Sequence, residues 1–421
     1  MLSTAAACAH ERGDRDAMYA FAVRATRTGE AHFTIWGFRL GRELGLRQYE
    51  AAVATIEAVA NGNAAALAEF KSTVLWNLDR ALTEAKQPAL RRRMLKVLAE
   101  SYAPKREVGD ADGFRVNYAR LLVAEGAVEP ARALLPGIKN PWFLRDIMVD
   151  PVLRTGLPTG FDLRAATEQR LTAELAYIAA NPDKLEPYMT ATALQRQLGR
   201  PGDAVALLES VRAKLDGNTF SDIAANRAWW WDSLARSQLM LGRRDDGLRS
   251  LRIGATATVD GTVDVSLLIN LMDALVQHGR AQDALNAEQT IGLGPVSDFG
   301  AMQFRRARAC AYAALGRDAE AATDLAYLKA RQTEDPDALG DVLACTGDMA
   351  GAAANLIDRL GDPALRNVVL LRASKYAPGS DTVKPGLADR NFDLLIARTD
   401  VRAALLKAGP PITFNVSKEI D

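Results

Sequence analysis

Apolar positions along this chain recur at helical spacing, and the apolar stretches come in pairs separated by a glycine and a short polar turn. The fragments LLVAEGAVEPARALL, ALQRQLGRPGDAVALLESV, RSQLMLGRRDDGLRSL, DALVQHGRAQDALNA, CAYAALGRDAEAATDL and DVLACTGDMAGAAANLI share this design. The turn glycines are Gly126, Gly199, Gly242, Gly279, Gly316 and Gly347. Five residues after each stands Ala131, Ala204, Gly247, Ala284, Ala321 or Ala352. Glycine suits a left-handed helix end because it has no Cβ to clash. A small residue at the later place lets the second helix lie close against the first. Strand signals are weak throughout, and helix formers abound.

The interval from Gly199 to Gly242 is 43 residues, followed by 37, 37 and 31. Gly126 to Gly199 is 73, room for two units, as is the 81 from Gly45 to Gly126. Gly13 lies 32 residues before Gly45, and at these two sites the small residue is replaced by Met18 and Glu50. The series averages 37 residues per unit, near the period of about 34 that marks tetratricopeptide (TPR) repeats.

At this point the chain resembles the TPR superfamily, in divergent form. The fullest unit carries Trp231, Leu234, Ala235 and Gln238, then Gly242, Gly247, Leu251 and Gly254. Others keep parts: Tyr188, Leu271, Ala309 with Tyr312, Leu339 with Gly340, and Tyr118 with Ala119 and Leu122. The resemblance implies an all-α, right-handed α-solenoid of helix–turn–helix repeats, closed by an irregular helical cap.

The expected organisation has divergent repeats over 1–136, an irregular Pro/Gly-rich break over 137–163, a TPR-like array over 164–360, and a helical cap and tail over 361–421. Pro136, Pro141, Pro151, Pro158 and nearby glycines interrupt the period in the break. A helix is expected from about Asp162 to Ala180. The last segment is expected to hold a helix near 367–376, a Pro/Gly loop at 378–385, a second helix near 389–407, and a tail after Pro410-Pro411. The two irregular stretches are alike, since Phe143 precedes Val152, and Phe392 precedes Val401, by nine residues each. Each could close its own array.

Lys plus Arg and Asp plus Glu number 52 each, so the formal net charge is zero. That argues against a nucleic-acid partner, which needs a basic excess to neutralise phosphates. Arg91-Arg92-Arg93, the densest basic run, reads as a solvated helix face. Three cysteines, Cys8, Cys310 and Cys345, show no C-x-x-C spacing, so reduced thiols are expected, which fits a cytoplasmic location. Ala5-Ala6-Ala7-Cys8 is similar to a lipoprotein cleavage box, but only seven residues precede the cysteine. An exported or periplasmic location is the alternative if a signal segment precedes this sequence. No apolar run reaches the length of a membrane span.

Candidate chemistry is sparse. His10, His32 and His278 make no metal-ligand pair, and His278 fits a cation at a helix C-terminus. There is no phosphate loop and no nucleophile elbow. Gly292-Leu293-Gly294 before Pro295 reads as a linker, and Asp16, Asp245 and Asp246 read as helix caps. No enzyme activity, cofactor or metal is expected. The TPR resemblance implies a concave groove lined by the first helix of each unit. Carried over residue by residue, it offers Trp229, Asp232, Arg236 and Met240, with Arg196 before them and Asp273, Gln277 and Arg306 after. The Lys and Asn of the family's clamp for acidic chaperone tails are missing. The implied function is a non-catalytic scaffold for another protein or an extended peptide. The alternatives are a sensory module that signals to a separate effector and, more remotely, an enzyme on a repeat scaffold. In Trp229-Trp230-Trp231 the register puts Trp231 in the core and Trp229 in the groove.

Overall fold

The computed structural model describes every residue except 30, 107–108, 260–261, 293–295, 379–386 and 419–421. The chain divides into two compact units, Met1–Phe161 and Asp162–Asp421.

The first unit is a stack of helical hairpins. Helices α1 (Leu2–Glu11) and α2 (Arg15–Ala25) pair across Gly13, and α3 (Phe33–Gly45) pairs with α4 (Tyr49–Gly62). A short α5 (Ala64–Ala68) leads to α6 (Ser72–Glu84) and α7 (Pro88–Ser101), then α8 (Asp112–Ala124), α9 (Val128–Ala133) and α10 (Pro141–Val149). The expected turn at Gly45 falls elsewhere. Gly45 is the last residue of α3, and the left-handed position is Arg47, at φ 56°. Counting five from Arg47 reaches Ala52, which is fully buried. A further turn, invisible in the glycine pattern, uses Lys86 at φ 53° between α6 and α7. The Arg91–Arg93 run lies on α7, and each member is matched by neighbouring carboxylates: Arg91 by Asp79, Arg92 by Glu125, and Arg93 by Glu50 and Glu57. Between α3 and α4 the fully buried Glu43 takes Arg39 Nε at 2.9 Å and Thr55 Oγ1 at 2.7 Å, so its charge is satisfied within the hairpin.

The second unit opens with α11 (Leu163–Ala180), capped by the Asp162 carboxylate on the Ala165 N–H. Then come hairpins α12 (Glu186–Gln197) with α13 (Pro201–Glu209), α15 (Ile223–Met240) with α16 (Arg244–Thr256), α17 (Val265–Gln277) with α18 (Ala281–Ile291), α19 (Asp298–Ala314) with α20 (Asp318–Ala330), and α21 (Pro336–Cys345) with α22 (Met349–Gly361). A five-residue α14 (Arg212–Asp216) precedes α15, and a two-rung antiparallel ribbon, β1 (Thr258–Val259) with β2 (Thr262–Val263), precedes α17. Gly199, Gly242, Gly279, Gly316 and Gly347 all take the left-handed turn, with φ between 69° and 84°. The small residues five places on are all buried. At Gly247 a Cβ would lie 2.6 Å from Leu239 Cγ, so the close helix approach demands glycine there. First helices touch in series, α12 to α15, α15 to α17, α17 to α19 and α19 to α21. The apolar core runs continuously from Ala235 and Leu239 of α15 through Leu267, Leu271 and Leu275 of α17 to Phe304 and Ala311 of α19.

Several expectations are corrected. The C-terminal end is not a free tail. After α23 (Arg366–Ala373) the chain forms β3 (Lys375–Ala377), which pairs in parallel with β4 (Thr413–Ser417). Phe414 and Val416 of β4 are buried, because their alternate side chains face the helices while the backbone completes the two-strand pairing. The expected helix near 389–407 is two helices, α24 (Leu387–Ala397) and α25 (Thr399–Ala408), broken at Arg398 in the extended conformation. The Pro/Gly loop, apart from Pro378, and the linker residues 293–295 lie outside the described residues.

The cysteines are not all reduced. Cys310 of α19 and Cys345 of α21 form a disulfide that joins consecutive repeats, leaving Cys8 as an exposed free thiol. Spacing of 35 residues hid this, because the repeat brings equivalent faces together. His278 is not a helix-end cation either: burial, followed by the nearby Arg244 guanidinium, pulls its pKa below the ordinary histidine value. Asp16 does not cap: Asp14 caps α2, and Asp16 pairs with Arg42. Asp245 and Asp246 lie in the first turn of α16, which has no side-chain cap.

Candidate partner-binding face

The first-helix face of the second unit carries a ladder of charged and amide side chains, one rung between each pair of neighbouring helices. Asp232 of α15 accepts Arg236 Nε at 2.6 Å and Asn270 Nδ2 of α17 at 2.9 Å. Asp273 of α17 accepts an Arg306 guanidinium N–H from α19 at 2.5 Å. Gln303 receives Arg306 Nε at 2.9 Å and donates to Asp335, the cap of α21, at 2.6 Å. Asp341 of α21 lies 3.8 Å from Arg306 and accepts Arg372 of α23 at 2.8 Å. The rungs recur because equivalent positions on successive first helices come within side-chain reach.

Electrostatics follow from that pairing. Burial pushes the Asp273 carboxyl up, against the opposing pull of Arg306. At Asp341 burial also pushes upward, but Arg372 and Arg306 together outweigh it and hold the carboxyl below its ordinary value. Asp337, whose partner is Arg359 at 2.6 Å, is raised by burial. Titratable groups therefore converge here; Asp232, Asp273, Asp337 and Asp341 each face a guanidinium, and Asp335 is met by the Gln303 amide and the Ala338 N–H.

The groove residues expected from the sequence are distributed unevenly. Arg196, Asp232 and Met240 are buried, at 4%, 5% and 3% exposure, and so lie within the packing and not on a contact surface. Arg196 reaches across to α15, donating to Ser233 Oγ at 3.0 Å and Ser237 Oγ at 3.3 Å. Arg236, Asp273 and Arg306 are half-buried in the ladder. Gln277 is exposed, and Trp229 is half-buried against the α15–α19 core.

The tryptophan register also differs from expectation. Trp230 is fully buried, while Trp231 is half-buried. A Cβ on Gly254 of α16 would lie 2.9 Å from the Ala228 carbonyl and 3.2 Å from Trp231 Cβ. The two helix backbones are so close that no indole fits between them, and the Trp231 ring emerges at the margin. There it meets Trp230 edge-on at 5.0 Å, and the Arg212 guanidinium lies 4.4 Å from one ring and 4.3 Å from the other.

The fold is an all-α array of TPR-like hairpins. No protein-family model matches the chain, and no curated protein does. Among solved structures, it is similar to a chain of the APC/C hetero-tetramer Cut9–Hcn1, at 13% identity and TM-score 0.32, covering 97% of this chain and 85% of that one. It is also similar to the TPR domain of P58(IPK), at 12% identity and TM-score 0.19, covering 89% and 97%. At scores this low the backbones do not superpose over their length, and the repeat stands on this chain's own turns and packing. Among the described residues no helix is long and apolar enough to cross a membrane.

Proposed function

We propose that the TPR-like array is a non-catalytic scaffold that binds another protein or an extended peptide along the first-helix face of its second unit. The ladder carries this reading. Asp273, Arg306, Asp341 and Arg372 neutralise one another across successive helices, while Asp232, paired with Arg236 on its own helix, accepts the Asn270 amide of the next. The cluster thus fixes the spacing of the first helices, with its guanidiniums engaged by carboxylates of the neighbouring helices. A surface held in one shape loses little entropy on binding. The contact surface comprises the exposed Gln277 and the outer edge of Trp229, rather than the buried Arg196, Asp232 and Met240. The zero net charge, with Arg91–Arg93 already paired, supports a protein over a nucleic acid. The Cys310–Cys345 disulfide supports an exported location, since such bonds persist in oxidising compartments.

Affinity capture with wild type against Gln277→Arg and Trp229→Ala tests the face. Loss of the same partner in both variants, at unchanged fold by circular dichroism, is expected. An identical set of captured proteins in all three would refute it.

A further inference from the structure

Helix α24 lies across the first-helix face: it packs on α21 and α22 and reaches α17, two repeats earlier. Only Phe392 and Leu395 of its eleven residues are buried, while Leu394 is 62% exposed. Its seat is specific. The Arg372 guanidinium lies 4.2 Å over the Phe392 ring and donates to the Ala388 carbonyl at 3.2 Å, while keeping Asp341 at 2.8 Å. Asn391 Nδ2 donates to the Ala344 carbonyl, in the last turn of α21, at 3.2 Å. Beneath α24 is a depression of about 310 Å³, counting the part open to solvent, with Gly340, Ala344 and Leu356 in its wall.

The flanking elements are held differently. After α24, helix α25 buries Val401, Leu405 and Ala408 and packs along α22; before it, α23 buries Val369 and Leu370, and β3 pairs with β4, which buries Phe414 and Val416. α24 is thus a lightly held helix between two firmly held segments. Each of its contacts (cation over ring, guanidinium to backbone carbonyl, amide to backbone carbonyl) is one that a helix from another chain can make.

We propose that the face beneath α24 is a helix-binding site, and that α24 is its resident occupant, displaced by an amphipathic helix of a partner protein. The partner helix presents an Asn or Gln, an aromatic residue immediately after it, and a leucine three residues further on, with a small residue where Ala388 now lets Arg372 reach the backbone. This rests on the reading of the second unit as a protein-binding array. It adds that the α17–α21 part of the face is gated. Because α24 stays tethered at both ends, it re-enters at an effective concentration on the order of millimolar. The partner's apparent affinity falls in proportion to the fraction of molecules with α24 seated.

Two measurements decide it. In the intact wild-type chain, hydrogen exchange followed by mass spectrometry should show α24 amides exchanging at least tenfold faster than those of α22 and α25. A fluorescein-labelled peptide of residues 387–398 should bind the Phe392→Asp/Leu395→Asp variant at least tenfold more tightly than it binds wild type. The same peptide carrying both substitutions should bind neither. Equal protection of α24, α22 and α25 overturns the proposal, as does failure of the peptide to bind a folded variant. If the variant does not fold, the wild-type exchange alone decides. An α24 that never opens leaves binding at Trp229 and Gln277 to the capture experiment, so the two readings fail separately.

Discussion

Replacing Trp230 with alanine should destabilise the second unit more than replacing Trp231, the reverse of what the repeat register implies. A buried indole removes roughly 200 Å² from water, worth about 5 kcal/mol at about 25 cal/mol per Å². Trp230 is 0% exposed, so nearly all of this is at stake, within the range of about 3–5 kcal/mol for truncating a buried aromatic residue. Trp231 is partly exposed, and its Cβ contact with α16 survives in alanine, so a cost lower by about 0.5–2 kcal/mol is expected. The two rings meet edge-on at 5.0 Å, so the double variant should cost about 0.5–1.5 kcal/mol less than the sum of the singles, because that mutual contact is lost in each single but only once in the double. Trp230 Nε1 is buried with no hydrogen-bond partner among the described residues. Trp230→Phe removes that orphan donor and should therefore recover most of the loss seen in alanine. Urea denaturation followed by far-UV circular dichroism measures all four variants. If Trp231→Ala costs as much as Trp230→Ala, the assignment of the core indole is wrong.

Reducing Cys310–Cys345, or replacing both with alanine, should destabilise the unit by about 4 kcal/mol, from the entropy of a loop closed over 35 residues; denaturation with and without reductant measures it, and thiol titration of the unfolded, unreduced chain should find Cys8 alone. Gly254→Ala should cost about 1–2 kcal/mol, because the clash with the Ala228 carbonyl outweighs the gain of about 1 kcal/mol in helix propensity; a higher melting temperature would show that the helices have room to part. The Asp162 carboxyl is held below its ordinary value of 3.8 by the Ala165 N–H and then by Asn415. A depressed carboxylate contributes stability that is complete above the unfolded value and is lost as pH falls through the folded one. Protease sensitivity near residues 410–418 should therefore stay flat above 3.8 and rise below it, whereas Asp162→Asn should remove that rise.

The hairpin array was legible because one constraint, a left-handed turn followed by a close helix contact, repeats with residues that almost only glycine and alanine satisfy. Where another residue type accepts the left-handed turn, the signal vanished. Arg47 and Lys86 do so, which is why the Gly45 unit was misaligned by two residues and the α6–α7 turn went unseen. Arg196, Asp232 and Met240, expected to face the groove, are buried, because helix periodicity tells which way a side chain points but not how closely the next helix lies. The ladder, the disulfide and the β3–β4 pairing each join residues more than thirty positions apart. Single residues in local windows carry no trace of such partners. Trp231 was misplaced for a related reason: at Gly254 the α15 and α16 backbones approach too closely to hold an indole between them.

The β4 strand has a consequence for synthesis. Asn415 donates to Asp162 Oδ1 at 2.6 Å and accepts the Arg164 N–H at 3.2 Å, so the last strand is fastened to the first helix of its unit. An unclasped run of repeats can fold as each hairpin leaves the ribosome, since each needs only its neighbour. Here the first helix receives a partner that is translated about 250 residues later. At roughly 5–20 residues per second, that delay lasts on the order of 10–50 seconds. For that time Asp162 and the Arg164 N–H lack the strand residue that pairs with them in the finished fold, so the N-terminal end of this unit is completed last.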